Sequence, residues 1–157
     1  MKLVPAEQGK FIFRLGKQEK QLLLAVLDRY PLIPPAYQPL SKSAPAGENE
    51  TDQHLLDEAL AEQRRENKKL LASFLKDEKR FKETERGCRI TLSAPDLEWL
   101  LQVLNDVRVG SWILLGSPDE NWRALELNET TAPHAWAMEM AGWFQMNLLA
   151  VLQGNAK

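Results

Sequence analysis

Asn105, Asp106 and Arg108 are the residues of this chain whose types and spacing most invite chemistry. They stand in the segment Leu104-Asn-Asp-Val-Arg-Val-Gly110, between leucine, valine and tryptophan neighbours that predict a helix. At about 100° per residue, Asn105 and Arg108 share a face while Asp106 points away from Arg108, so the two charges cannot simply neutralise each other. A charge buried on such a helix needs a partner from another element. The strongly charged stretch 51–86 offers Glu58, Glu62, Arg64, Arg65 and Glu66. Glu58, Glu62 and Arg65 fall at four- and three-residue intervals and so share one helical face. The spacing predicts Arg108 against Glu58 or Glu62, and Asp106 against Arg64 or Arg65, as a network that sets packing register. A pocket around Asp106 and Arg108, binding or transforming a small molecule, is the alternative.

Other chemistry finds little support. His54 and His134 have no ligand-spaced partners, so no metal is expected, and no catalytic residues are assigned. No glycine-rich phosphate loop, nucleophile elbow or HExxH motif occurs, and no cofactor is expected. The single cysteine, Cys88, lies between Arg86 and Arg89, which could lower its pKa, but a small residue in a turn before a strand explains it as well. Lys79, Arg80, Lys82, Arg86 and Arg89 are interleaved with Asp77, Glu78, Glu83 and Glu85. Read as a helix, their fields cancel, which argues against nucleic acid as a partner.

The elements that must position these residues follow from pattern. A chain of 157 residues fits one domain, and a net charge of -2 argues against a general polyanion binder. No apolar run approaches the bilayer-spanning length, and Met1–Lys10 lacks a signal-peptide core, so a cytoplasmic protein off the membrane is expected. Residues 11–15 and 89–92 read as short strands, with Lys2-Leu3-Val4 as a candidate edge strand. Residues 17–30 read as a helix ended by Pro31. Pro31, Pro34, Pro35, Pro39 and Pro45 make 31–50 a connection, and 38–50 its mobile part. Residues 51–86 read as one long helix.

Ser93 and Asp96 start a helix that runs to Leu115, and Ser117 to Glu120 start a short one near Trp122. The last helix, 133–152, is apolar nearly all round from Trp136 onward, with Glu139 its one charge, and is expected at the centre. The sum is a mainly α domain spanning 1–157: about five helices in an irregular bundle with a small two- or three-stranded sheet. Trp136, Met140, Trp143 and Phe144, with Met138 and Met146, exceed what one face of a small core absorbs. They are read as an interaction surface, and a dimer or higher oligomer is expected.

Leu104 to Gly116, LNDVRVGSWILLG, resembles the signature of an uncharacterised, mainly actinobacterial family with an L-N-D-x-R helix followed closely by a glycine. Gly9 to Leu15, Pro34-Pro35-Ala36-Tyr37, Glu62-Gln63-Arg64-Arg65 and Trp143-Phe144-Gln145 resemble further segments of that family. The family has no established activity. Its genes often lie beside that of the Clp protease adaptor, so the resemblance implies an accessory role in regulated proteolysis. The chain is therefore expected to be a non-enzymatic helical interaction or regulatory protein whose partner is another protein or a second copy.

Overall fold

The structure is a computed structural model that describes residues 1–4, 9–32, 46–119 and 126–153. Its elements are β1 (Lys2–Val4), β2 (Lys10–Gly16), α1 (Lys17–Leu27), α2 (Ala46–Lys76), β3 (Phe81–Thr84), β4 (Gly87–Ser93), α3 (Ala94–Leu114) and α4 (Ala132–Leu152). The strands form one antiparallel sheet in the order β1-β2-β4-β3. Alternation decides which way each strand faces. Phe13 and Leu15 of β2 lie opposite Ile90 and Cys88 of β4, and all four are buried on the helix side.

This corrects the expected fold class. The architecture is mixed α/β, with four helices among the described residues and a four-stranded sheet, rather than a five-helix bundle carrying a minor one. The largest correction is at residues 77–86, expected as the end of the long helix. The helix instead stops at Lys76, and the N–H groups of Arg80 and Phe81 donate to the Asp77 carbonyl at 3.0 and 2.9 Å. Phe81 then enters β3 opposite Ile90, with its ring set edge-on to Phe74 at 5.4 Å. An aromatic residue flanked by charges fits a strand with one face covered better than a helix already solvated all round. The short helix expected near Trp122, and the mobile segment from 38 up to Ala46, lie outside the described residues. Residues 46–50 belong to α2.

The capping of α3 agrees with its sequence. Asp96 N–H donates to Ser93 Oγ at 3.2 Å, and Ser93 N–H donates to the Asp96 carboxylate at 3.1 Å, with Pro95 in the first turn. Arg80 reaches the same carboxylate at 3.3 Å and stacks over the Phe74 ring, tying the foot of β3 to the start of α3. Partial burial works against that charged carboxylate, but the Ser93 and Arg80 hydrogen bonds outweigh it and hold Asp96 below its ordinary pKa.

α1 packs against β2 and β4, α3 packs against β4, and α4 lies across α1 and α3. The core joins Phe13, Leu27, Leu92, Leu97, Leu104 and Phe144. The expectation of a central last helix is thus corrected: α4 buries Ala137, Ala141, Phe144 and Leu148 and leaves its other side to solvent. No helix among the described residues is long and apolar enough to cross a membrane.

Candidate functional site

Asp106 and Arg64, expected to pair with each other, converge instead on adjacent backbone groups. The Asp106 carboxylate accepts the Leu32 N–H at 2.7 Å, and the Arg64 guanidinium donates to the Pro31 carbonyl at 2.8 Å. One comes from α3 and the other from α2, so the two helices grip adjacent residues of the segment that leaves α1. Tyr30, just before, is buried beside Asn67 of α2. Burial first, and the Asp106 charge second, push its phenol pKa up, against the Asn67 side chain and the Arg64 charge. One helical turn after Asp106, Gly110 meets the same segment: a Cβ there would lie 2.9 Å from Leu32 Cβ. The aspartate and glycine of the Leu104–Gly110 segment therefore serve one contact, the seat of Leu32.

The other predicted pairings do not form. Arg108 is exposed and donates to Asn105 on its own helix at 3.2 Å, rather than to Glu58 or Glu62. Glu58 pairs with His54 at 3.1 Å, and Arg65 pairs with Glu62, both within the exposed surface of α2. Glu66 is also exposed. The reason is geometric: α2 meets the body through Arg64, Asn67, Leu71 and Phe74, a face rotated away from the one that carries Glu58, Glu62 and Arg65.

We expect Asp106→Ala to lower stability by about 2 kcal/mol, because a charged acceptor is taken from a partly buried backbone N–H. Asp106→Asn, which keeps an acceptor oxygen, should lose clearly less. Urea unfolding of the three proteins checks this, and an unchanged midpoint for the alanine variant would contradict the clamp.

Arg108 instead borders an apolar groove of about 630 Å³ between α3 and α4. Val109 and Trp112 line it from α3; Met138, Trp143 and Met146 line it from α4. Gly142 lies beneath the Arg108 stem, with space for a Cβ 3.7 Å from Arg108 Cδ, and Glu139 stands one turn before it. Trp112 Nε1 donates to the Pro118 carbonyl at 2.8 Å, so its polar edge is satisfied while its apolar face stays exposed. Of the expected interaction residues, Trp136 and Trp143 are 38% and 37% exposed, and Met140 is half-buried. Phe144 is a correction: at 1% exposure it belongs to the core. Met146, expected with that surface, is 66% exposed, whereas Trp112 was legible only as an apolar position of its helix.

The remaining candidates are chemically quiet. Cys88 is buried, and desolvation pushes its thiol pKa up despite the nearby Lys20 charge, so it is not an activated nucleophile. His134 contacts Arg29 at 2.9 Å, and burial together with that cation lowers its pKa. Among the described residues no group of three or more His, Cys, Asp or Glu could hold a metal ion. No family model, curated protein or solved structure matches the chain.

Proposed function

We propose that this protein is a non-enzymatic interaction module that self-associates through the α3–α4 groove. The observation that carries the reading is an apolar groove between two packed helices in which Trp112, Trp143 and Met146 are exposed, with Trp136 and Leu149 exposed elsewhere on α4. Scattered exposed apolar side chains are ordinary, but large aromatic and methionine side chains gathered along one groove are the composition of an interface centre. The groove is also self-complementary in charge. Arg108 stands on its α3 wall and Glu139, which already has an interaction within its own chain, on its α4 wall, so a twofold-related copy adds an opposite charge to each. The likeness of Leu104–Gly110 to the family encoded beside the Clp adaptor supports assigning such a module to regulated proteolysis as an accessory.

The small-molecule reading is weaker. Asp106 holds the Leu32 N–H rather than lining the groove, and the groove's ionisable side chains are Arg108 and Glu139, with no nucleophile between them.

Light scattering across a concentration series tests the proposal. The wild type should run as a dimer, and Trp143→Arg as a folded monomer near 17.9 kDa. A wild type that stays monomeric at high concentration would overturn it.

A further inference from the structure

We propose that the outer face of the sheet, the side away from the helices, binds single-stranded nucleic acid through its phosphates. In sequence the acids and bases of 77–89 interleave; in the β3–β4 hairpin the two-residue period sorts them. Lys82 shares a face with Arg89, its partner across the strands, whereas Glu83 lies opposite buried Cys88 and reaches Lys20 of α1 on the helix side.

The register extends this sorting across the whole sheet. Lys2 lies opposite Arg14, Arg14 opposite Arg89, and Arg89 opposite Lys82. Four cations therefore form one transverse row over four strands, spanning about 14 Å at the usual strand spacing. The adjacent row is Val4, Ile12 and Thr91, and Lys10 follows on the far side of it. Lys2, Lys10, Arg14 and Lys82 are exposed, Arg89 is half-exposed, and none of the five forms a salt bridge among the described residues. Two carboxylates share a cleft with Lys2, Arg14 and Arg89: Glu19, which is joined to the Met1 amino group and also feels the Lys2 charge, and Glu85, beside Arg86 in the hairpin turn.

Like charges placed directly opposite each other on a sheet destabilise it, so this row is costly to the free protein. A ligand with regularly repeated negative charge relieves that cost and gains from counterion release. Shape then selects among polyanions. Among the described residues no helix or loop rises from this face to enter a duplex groove, and a stiff cylinder touches a sheet along one line. A flexible single strand can follow the row, with its sugars and bases over Val4 and Ile12. Among the described residues the outer face carries no aromatic side chain for stacking, so binding should be insensitive to sequence and strongly sensitive to salt. A lipid surface would call for large inserted apolar groups, and Val4 and Ile12 are half-buried.

The test is fluorescence anisotropy of the full chain with labelled oligothymidine of about 20 nucleotides, titrated at several salt concentrations. With four phosphates neutralised, log K should fall against log salt with a slope of about −3. The double variant Arg14→Gln/Arg89→Gln should bind at least about tenfold more weakly at low salt, with roughly half that slope. Its melting temperature should not fall, since it removes a repulsion. Lys2→Gln/Lys82→Gln, at the two ends of the row, gives an independent second reading and should weaken binding likewise. Lys68→Gln/Lys69→Gln on α2 should leave it unchanged. Absence of saturable binding at low salt, or binding by both row variants as tight as that of the wild type, would overturn the proposal. So would tighter binding to a duplex, to phosphatidylserine vesicles or to polyglutamate.

Discussion

Gly87→Ala should be among the most damaging single substitutions in this chain, costing about 4 kcal/mol or preventing folding altogether. Gly87 opens β4 directly opposite Gly16, at a φ of +152°, a backbone angle that side-chain-bearing residues rarely adopt. An added Cβ would lie 1.9 Å from the Leu15 carbonyl oxygen and 2.8 Å from Gly16 carbon. Both neighbours are main chain within the central β2–β4 pair, so no rotamer change can relieve the overlap. The strands must separate at the end where β2 passes into α1. Gly16→Ala is the matched comparison, since nothing lies within 4 Å of its added Cβ. It should cost at most about 1 kcal/mol, through the cap of α1. Equal urea midpoints for the two variants would show that this register is wrong.

Adjacent aromatic residues on α4 should part company just as clearly. Phe144→Ala should lose about 3–5 kcal/mol, because a fully buried ring leaves a cavity in the core where α4 packs on α1 and α3. Trp143→Ala should lose only about 1 kcal/mol of protomer stability, chiefly the edge-on contact of the two rings at 4.9 Å. Its effect should appear in association instead. Chemical unfolding at low protein concentration, set beside light scattering at high concentration, separates the two quantities. A tryptophan variant as unstable as the phenylalanine variant would place Trp143 in the core and remove the basis for the interface.

Where the sequence carried its own punctuation, the fold was legible. Ser93 and Asp96 marked the start of α3, and the alternation of Phe11-Ile12-Phe13-Arg14-Leu15 marked β2, each within a residue or so. Residues 77–86 were misread because alternating charges satisfy a solvated helix and a half-covered strand equally well. Phe81, the residue that decides, shows its partners Phe74 and Ile90 only once the chain has folded. That misreading also hid the basic face, since charges that cancel around a helix are segregated by a strand. The candidate site divided in the same way. Asp106 was correctly singled out as a polar residue needing a partner, but local spacing cannot reveal that the partner is a backbone N–H 74 residues away in sequence. The identity of Phe144 as core and Trp143 as surface depended on which side of α4 met α1 and α3. A helix apolar on every side leaves that undetermined.

The most direct test of self-association through the groove is to mix two charge variants, Arg108→Glu and Glu139→Arg. Each variant alone sets like charges against each other at both twofold-related contacts, and each should sediment as a monomer. Mixed in equal amounts, they restore an opposite pair at both contacts, so a heterodimer should form with close to the wild-type affinity. Sedimentation velocity on the mixture reads this without reference to any other partner. Recovery of the dimer only on mixing is the predicted result. Dimers in each variant alone, or monomers in the mixture and the wild type alike, would contradict it.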